Sequence, residues 1–523
     1  MKKKDPPAAK PAKSHSIGRG KRGAFIALLP YASFVGASFF IYWRSLNYPF
    51  IQDDWYTLYR IVFRGAGHVL AEGLNPAFQG TFYRPVAQIW FLVLYEFFHL
   101  DAGSYYIVNM LIHSANACLV ALVMRRLRGT VFTSWAVGML YVSAALVHVD
   151  TIFFAGSAHL GTTFFLASLF YYIGGKTSRS FILFLLALLT KEAAIVLPLV
   201  LFLYDVLLRP GAPRPVLEKA KDHFRALRAH WGFVLIFAAF EFVHFLIQVK
   251  SSGLPEYGVS MFSLQLVRNL ATYCKWSADG IFPEELFPGM RAGIVIAVVL
   301  IALWFQVKNW KSGWRMAAFF AGWYLIGLLP VLPLANHAYR YYATYSLPAF
   351  FGFLVFPIKP LPRNGANYIP YIVSALLVLN LISASQYVKR IDEHNGEILS
   401  LEGSYNPTRR GGVVQFIHEY LSANIPTIAD STLIYIEGMS PEYMGVNAAP
   451  CIWYNAPSIR VVPPDRIFQD SIGFYYDNAA GNIALEDPPP GTNERVRIDS
   501  VKHVLGLKFK DGIMTSAPVQ FVP

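Results

Sequence analysis

Two adjacent carboxylates, Asp53 and Asp54, sit in the stretch Asn47 to Tyr56, N-Y-P-F-I-Q-D-D-W-Y, just after the first long apolar segment of the chain. Phe50, Ile51, Trp55 and Tyr56 flank them, and in such surroundings like charge and partial burial both oppose ionisation. A carboxylate held there is suited to take a proton from an incoming nucleophile. The plainer reading is a solvated turn in which Asp caps a short helix. The other unusual polar residues are Arg84, His148, Asp150, Lys191, Glu192, His337 and Arg340, with Tyr83 and Tyr341 beside two of the bases. Arginine offers a rigid fork of donors and lysine a mobile point charge, and both suit phosphate oxygens. Acids for proton transfer and bases for an anion form one set only if the fold brings them to one face.

Composition sets the kind of element that must do so. The 523 residues are 55% hydrophobic, 16% aromatic and 15% charged, with a mean hydropathy of +0.39. That is too apolar for an ordinary soluble protein and implies a polytopic α-helical membrane protein. Residues 390–523 hold 10 Lys+Arg against 16 Asp+Glu, a balance of −6, which leaves +19 of the total +13 to residues 1–389. A basic excess confined to the apolar part means positive-inside loops and contact with membrane lipids, and no nucleic-acid-binding motif accompanies it. Cys118, Cys274 and Cys451 are odd in number and far apart, which argues against a disulfide framework or a metal knuckle.

Residues 1–22 carry eight Lys or Arg among Pro, Ala and Ser, cannot build a core, and read as a disordered basic cytoplasmic tail. An uncleaved first span over about Ala24 to Trp43 then turns Asp53 and Asp54 outward. The segment up to about Leu100 mixes aromatics with Arg60, Arg64, His68, Glu72, Arg84 and Glu96, which suits short helices lying in the outer interface. Spans follow over about Tyr105–Leu122, Val131–Leu146 and Gly156–Ile173, with Arg125, Arg126, Arg128, Lys176 and Arg179 marking their inner ends. Asn109, His113 and Asn116 fall at i, i+4 and i+7 of the second span, a stripe that holds membrane helices together more often than it catalyses anything. The stretch 180–208 is interrupted by Thr190-Lys191-Glu192 and bounded by Arg179 and Arg209. It reads as two short helices meeting at Lys191, since one helix would leave charge in mid-membrane. Later spans cover about Trp231–Val249, Ala292–Gln306, Met316–Leu332, Ala343–Phe356 and Tyr368–Ala384. About eleven spans over 23–388 leave residues 389–523 outside as a small α/β-type soluble domain, with a strand over Thr432 to Ile436.

On this topology the acids and bases emerge on one side, among apolar and aromatic walls, as a site for a substrate with a hydrocarbon part and an anionic head. The order of Q-D-D-W (52–55), Y-R-P-V (83–86), N-x-x-x-H-x-x-N (109–116), H-V-D (148–150), L-T-K-E-A-A-I-V-L-P (189–198) and H-A-Y-R-Y-Y (337–342) resembles that of the GT-C glycosyltransferases. It is most similar to bacterial relatives of the protein O-mannosyltransferases and more distantly to lipid A aminoarabinose transferases, over roughly residues 25–385. The resemblance implies a GT-C-like fold, a polyprenyl-phosphate sugar as donor, and transfer on the non-cytoplasmic side, usually with inversion. It gives Asp53 the general-base role, Asp54 a supporting one, and matches Asp150 to the acid of the second outer loop. Arg84, Lys191 and Arg340 match basic positions that would grip the leaving lipid phosphate; Tyr83, His148, Glu192, His337 and Tyr341 would line the substrate. It implies a bacterial inner-membrane location, with the N-terminus cytoplasmic and the C-terminal domain outside. A lipid phosphate already leaves readily, so no metal is required. A divalent cation, magnesium or manganese, would sit between Asp53 and Asp150 as in those GT-C enzymes that use one. The tetratricopeptide tail of some relatives is absent, and with it any basis for a protein acceptor over a glycan or a lipid.

Plainer roles stand beside these. Lys191 and Glu192 could form a simple buried ion pair, Arg340 among Tyr339, Tyr341 and Tyr342 could be an interfacial anchor, and His148 and His337 could be structural. At the level of function, a flippase for lipid-linked glycans would want polar residues reaching both faces. A polysaccharide polymerase or ligase would share the basic grip without needing the paired acids.

Overall fold

The computed structural model describes residues 21–51, 53–76, 82–147, 151–152, 154, 157–209, 230–250, 263–282, 289, 291–334, 338–357, 369–396, 407–437, 448–462, 467–469, 474–477, 495–497, 503–510 and 513–516. The expected N-terminal tail lies outside them up to residue 20, as do His148, Asp150 and His337.

The first apolar run forms α1 (Lys21–Tyr42), closed by a 3-10 turn over Trp43–Asn47. The mixed segment after it is three short helices, α2 (Asp53–Arg64), α3 (Ala66–Leu74) and α4 (Pro85–Phe98). With 12, 9 and 14 residues, none reaches the roughly 20 needed to span a bilayer. Each start has a local cause. Asp53 and Asp54 occupy the first turn of α2, where carboxylates meet the positive end of the helix dipole, and Pro85 opens α4, where a missing N–H costs nothing.

Next come α5 (Ala102–Arg126), α6 (Val131–Val142) and α7 (Ala158–Ile173). Thr130 caps α6 by accepting the Thr133 N–H at 3.1 Å. The stretch 180–208 is two helices, as the charge argument requires: α8 (Thr177–Thr190) ends at Lys191, whose backbone is extended, and α9 (Leu197–Leu207) starts after a 3-10 turn over Glu192–Val196. Then follow α10 (Trp231–Lys250), α11 (Leu264–Asp279), α12 (Arg291–Lys308), α13 (Trp310–Leu328), α14 (Leu347–Val355) and α15 (Ile369–Gly396). Among the described residues, Ala102–Arg126 and Pro370–Arg390 are long and apolar enough to cross a membrane. The described residues are thus largely helical, and two segments among them are able to span.

The stripe on α5 binds elements together. Asn109 Nδ2 donates to Thr151 O at 3.1 Å, His113 Nε2 lies 3.0 Å from Val142 O, and Asn116 Nδ2 donates to His159 O at 2.9 Å. Away from water each contact satisfies a backbone carbonyl that the hydrocarbon could not. One large apolar core, including Phe34, Val137, Phe165, Leu188, Leu201 and Trp323, joins α1 and α5–α9 to α13 and α14.

Beyond α15, helix α16 (Pro407–Asn424) and the short α17 (Ala448–Trp453) accompany two sheets. In the first, β1 (Thr432–Glu437) pairs in parallel with β2 (Arg460–Val462) and β6 (His503–Lys510), and β7 (Ile513–Ser516) runs antiparallel to β6. The second is an antiparallel ribbon of β3 (Ile467–Gln469), β4 (Phe474–Asp477) and β5 (Arg495–Arg497). The strand expected over Thr432 to Ile436 is β1. Its Leu433, Ile434 and Ile436 are buried, as a central parallel strand demands.

Candidate active site

The two acids face different environments although they are adjacent. Asp54 is fully buried and its Oδ2 accepts the Ile51 N–H at 3.4 Å and the Phe154 N–H at 3.5 Å. The carboxylate therefore ties the turn before α2 to the loop that follows α6. Asp53, one residue earlier, is half-buried, and its carbonyl accepts the Thr57 hydroxyl at 3.1 Å. Trp55 Nε1 donates to Phe50 O at 2.8 Å and its ring meets Phe50 edge-on at 5.7 Å. An aromatic packing through Tyr105, Phe154 and Phe91 backs the corner.

The basic residues gather around the break in the hairpin segment. Arg84, at the N-terminal cap of α4, forks onto Glu192, with Nε to Oε2 at 2.7 Å and Nη2 to Oε1 at 2.6 Å. Two parallel charge-assisted bonds fix both side chains. The guanidinium also lies over the Phe82 ring, 4.3 Å from its centroid. Lys191 and Glu192 diverge: the lysine is 7% exposed and its Nζ stands 5.9 Å from the centroid of Tyr341. Glu192 is hydrogen-bonded to Arg84. Gly161 makes room for this arrangement, because a Cβ there would lie 2.7 Å from Tyr345 Oη and 3.2 Å from Lys191 Cβ.

Arg340 opens the 3-10 turn Arg340–Tyr345. It donates from Nη1 to Tyr387 Oη at 3.0 Å on α15 and lies 5.8 Å from the Trp276 ring on α11. Tyr341 stacks on Tyr339 with centroids 5.4 Å apart. Tyr83 is turned to a different task, its hydroxyl donating to Leu74 O at 3.1 Å at the end of α3.

These groups are linked by a series of contacts. Asp54 holds Phe154, Phe154 packs on Phe91 of α4 at 5.3 Å, and Arg84 lies seven residues up the same chain, about 10 Å along the helix. Arg84 holds Glu192, next to Lys191, which faces Tyr341. The turn containing Tyr341 packs against the Ala145–Val147 turn. Among the described residues Asp54, Arg84, Glu192, Lys191 and Tyr341 are thus linked, the first two by way of Phe154 and Phe91. His148, Asp150 and His337 lie outside the described residues.

In the first outer segment the other charges have structural partners. Arg60 Nη2 bonds Glu72 Oε2 at 2.5 Å, while Arg64 and His68 reach Glu72 Oε1 at 3.2 and 2.9 Å. Burial alone would raise the Glu72 carboxyl, but the Arg60 hydrogen bond and the surrounding positive charge outweigh it and hold it below its ordinary value. Burial also pushes up the Tyr83 phenol.

One cluster escaped the sequence reading. The buried Asp205 Oδ2 accepts from Tyr172 Oη at 2.7 Å and Arg209 Nη1 at 3.0 Å, and lies 3.2 Å from His230 Nε2. The i,i+4 spacing of Asp205 and Arg209 was a readable signal; the long separations to Tyr172 and His230 were not. It joins α7, α9 and the start of α10. Among the described residues no group of three or more His, Cys, Asp or Glu is placed to hold a metal ion. Asp150, half of the expected cation site, lies outside them. No family model matches the chain, and no curated protein matches it either.

Proposed function

We propose that this protein is an integral-membrane glycosyltransferase of the GT-C kind, moving a sugar from a polyprenyl phosphate to an acceptor on the non-cytoplasmic side. The observation that carries the reading is the series of contacts that links the half-exposed Asp53 corner, by way of Phe154 and Phe91, to the Arg84–Glu192 fork and to Lys191 under Tyr341. Asp53, more open than Asp54, is the general base that takes the acceptor's proton as its oxygen attacks the anomeric carbon. Asp54 orients it by fixing the backbone on both sides. Lys191 and Arg340 stabilise the phosphate charge that develops as the glycosidic bond breaks, and Glu192 positions Arg84 at the rim of the same site.

This reading includes eleven spans in a bacterial inner membrane, the N-terminus inside and residues 389–523 outside. The acceptor is a glycan, a lipid or a protein, and a divalent cation between Asp53 and Asp150 is compatible with the chemistry but not needed by it.

The test uses purified full-length protein in lipid nanodiscs with a panel of polyprenyl-phosphate sugars. The cognate donor raises the melting temperature, since a ligand that binds only the folded state stabilises it, and transfer to an added acceptor follows. Asp53→Asn keeps the donor-induced shift and loses transfer; undiminished transfer by that variant would remove Asp53 from the mechanism. A thermal shift without transfer to any acceptor, and with Asp53→Asn indifferent, would favour a flippase.

A further inference from the structure

Helix α11 carries apolar side chains on both of its sides, which a helix facing water does not need. Its inward side packs Leu266, Leu270 and the buried Tyr273 against the apolar core, and among them Asn269, 3% exposed, donates from Nδ2 to Leu332 O at 2.9 Å and to Leu334 O at 2.8 Å, and accepts from Gln265 Nε2 at 3.0 Å. Farther along, the buried Ser277 and Tyr324 hydroxyls share a hydrogen bond of 2.9 Å. Its outward side is apolar and cationic. Leu264 is 73% and Val267 61% exposed, and Arg268, Ala271, Cys274 and Lys275 are exposed with them. Positions 264, 267, 268, 271, 274 and 275 share one stripe of an α-helix. An ordinary surface helix keeps its apolar stripe inward and its polar residues out.

We propose that α11 lies in the plane of the bilayer surface, with its outward stripe seated in a leaflet of anionic phospholipid. Length argues against a span, since α11 has 16 residues where about 20 are needed, and Ser263 caps its start by accepting the Gln265 N–H at 3.2 Å. An in-plane helix buries leucine and valine at the acyl boundary and sets its cations among the headgroups. Arg268 and Lys275, two turns apart on the stripe, match that geometry and favour anionic over neutral lipid. The single acid, Asp279, is the last residue of the helix. Trp276 adds an amphipathic ring of the kind enriched at membrane interfaces. Because Arg340 lies over Trp276, the seating of α11 also fixes the height of Arg340 relative to the headgroups. The inference stands on the two faces of α11 and is independent of the reaction proposed above.

The test places a spin label on the native Cys274 of the full chain carrying Cys118→Ala, in nanodiscs of phosphatidylglycerol or of phosphatidylcholine. Cys451 is buried and stays unlabelled. A second label position is Ala271→Cys with Cys274→Ser, and a water-facing control is Thr515→Cys on β7 in the same background. Collisions with oxygen, which concentrates in hydrocarbon, are compared with collisions with a water-soluble nickel chelate. At Cys274 and at Ala271→Cys, oxygen contact exceeds nickel contact several-fold over the Thr515→Cys control. The labels sit deeper in phosphatidylglycerol than in phosphatidylcholine, and Arg268→Gln with Lys275→Gln abolishes that difference. Nickel contact equal to the Thr515→Cys control at both positions overturns the proposal. So does a depth that is the same in the two lipids for the unsubstituted helix.

Discussion

At the Asp53–Asp54 pair, burial rather than sequence position divides the roles. Asp54 is the acceptor for two backbone N–H groups, so Asp54→Ala strands the Ile51 and Phe154 amides and costs about 1–3 kcal/mol. The expected outcome is a lowered melting temperature in detergent, together with faster proteolysis of the loop containing Phe154. Asp53→Ala, at a half-buried position in a helix first turn, costs less than about 1 kcal/mol in the same melt and, on the proposed mechanism, abolishes transfer. Glu72 supplies a pH-dependent stability in the first outer segment. Its carboxyl is held below the ordinary 4.5 by Arg60, His68 and Arg64 against the opposing effect of burial. A carboxyl with a depressed folded value contributes fully above its unfolded value and loses that contribution as pH falls through the folded one. Glu72→Gln therefore destabilises the fold at pH 7 by about 1 kcal/mol once solvent screening is allowed for, read as a lowered melting temperature. The gap between the two proteins closes as pH falls below about 4; a gap unchanged down to pH 3 would mean that the glutamate acts through packing alone.

Elements were legible where a physical cost forced their form. The break at Lys191 followed from the expense of charge in hydrocarbon, and the short helices α2 to α4 followed from charges spaced too closely for a span. The glue role of Asn109, His113 and Asn116 followed from their sharing a face. Two element-scale facts were not legible: the exposed apolar and cationic stripe of α11, because Asn269 is held inward by carbonyls of a distant segment, and the approach of α7 to Lys191, because only geometry reveals what Gly161 admits. That approach yields a prediction. Gly161→Ala places a methyl against Tyr345 Oη and Lys191 Cβ, so the lysine and the Arg340–Tyr345 turn must both shift. If Lys191 stabilises the leaving phosphate as proposed, a displacement near 1 Å can cost on the order of 100-fold in rate. The expected readout is a large fall in kcat with a melting temperature changed far less, since overpacking here costs only about 1–3 kcal/mol. An unaltered kcat would separate Lys191 from the chemistry.

For the whole molecule, the sequence separated an apolar part from a C-terminal part of ordinary polarity, and its topology predicts one side for the candidate residues. It could not foresee that the two parts share a core. Phe50, Trp55, Leu58 and Phe91 from the first segment cluster with Val414, Ile417, Ile434 and Cys451 from the last. Such pairings span more than 300 residues and leave no local pattern to read. The junction is specific: Trp55 meets Trp453 edge-on at 5.7 Å, His418 lies over Trp453 at 4.4 Å, and Tyr59 Oη donates to Pro457 O at 3.0 Å. Cys451 is enclosed there, its thiol pushed up to about 12 by burial, so it stays unreactive while the junction is intact. Since Trp55 also bonds the backbone of Phe50 beside the acid pair, the C-terminal part braces the Asp53 corner from outside. Trp453→Ala removes that brace at a cost of about 3 kcal/mol, the low end for a Trp lost from a core because this ring is half-buried. The variant is expected to expose Cys451 to thiol reagents, to speed proteolysis within 53–74, and to lower kcat, with Trp453→Phe restoring most of each. If the C-terminal part instead folded as a separate unit, Cys451 reactivity would rise in Trp453→Ala while cleavage within 53–74 stayed at its original rate.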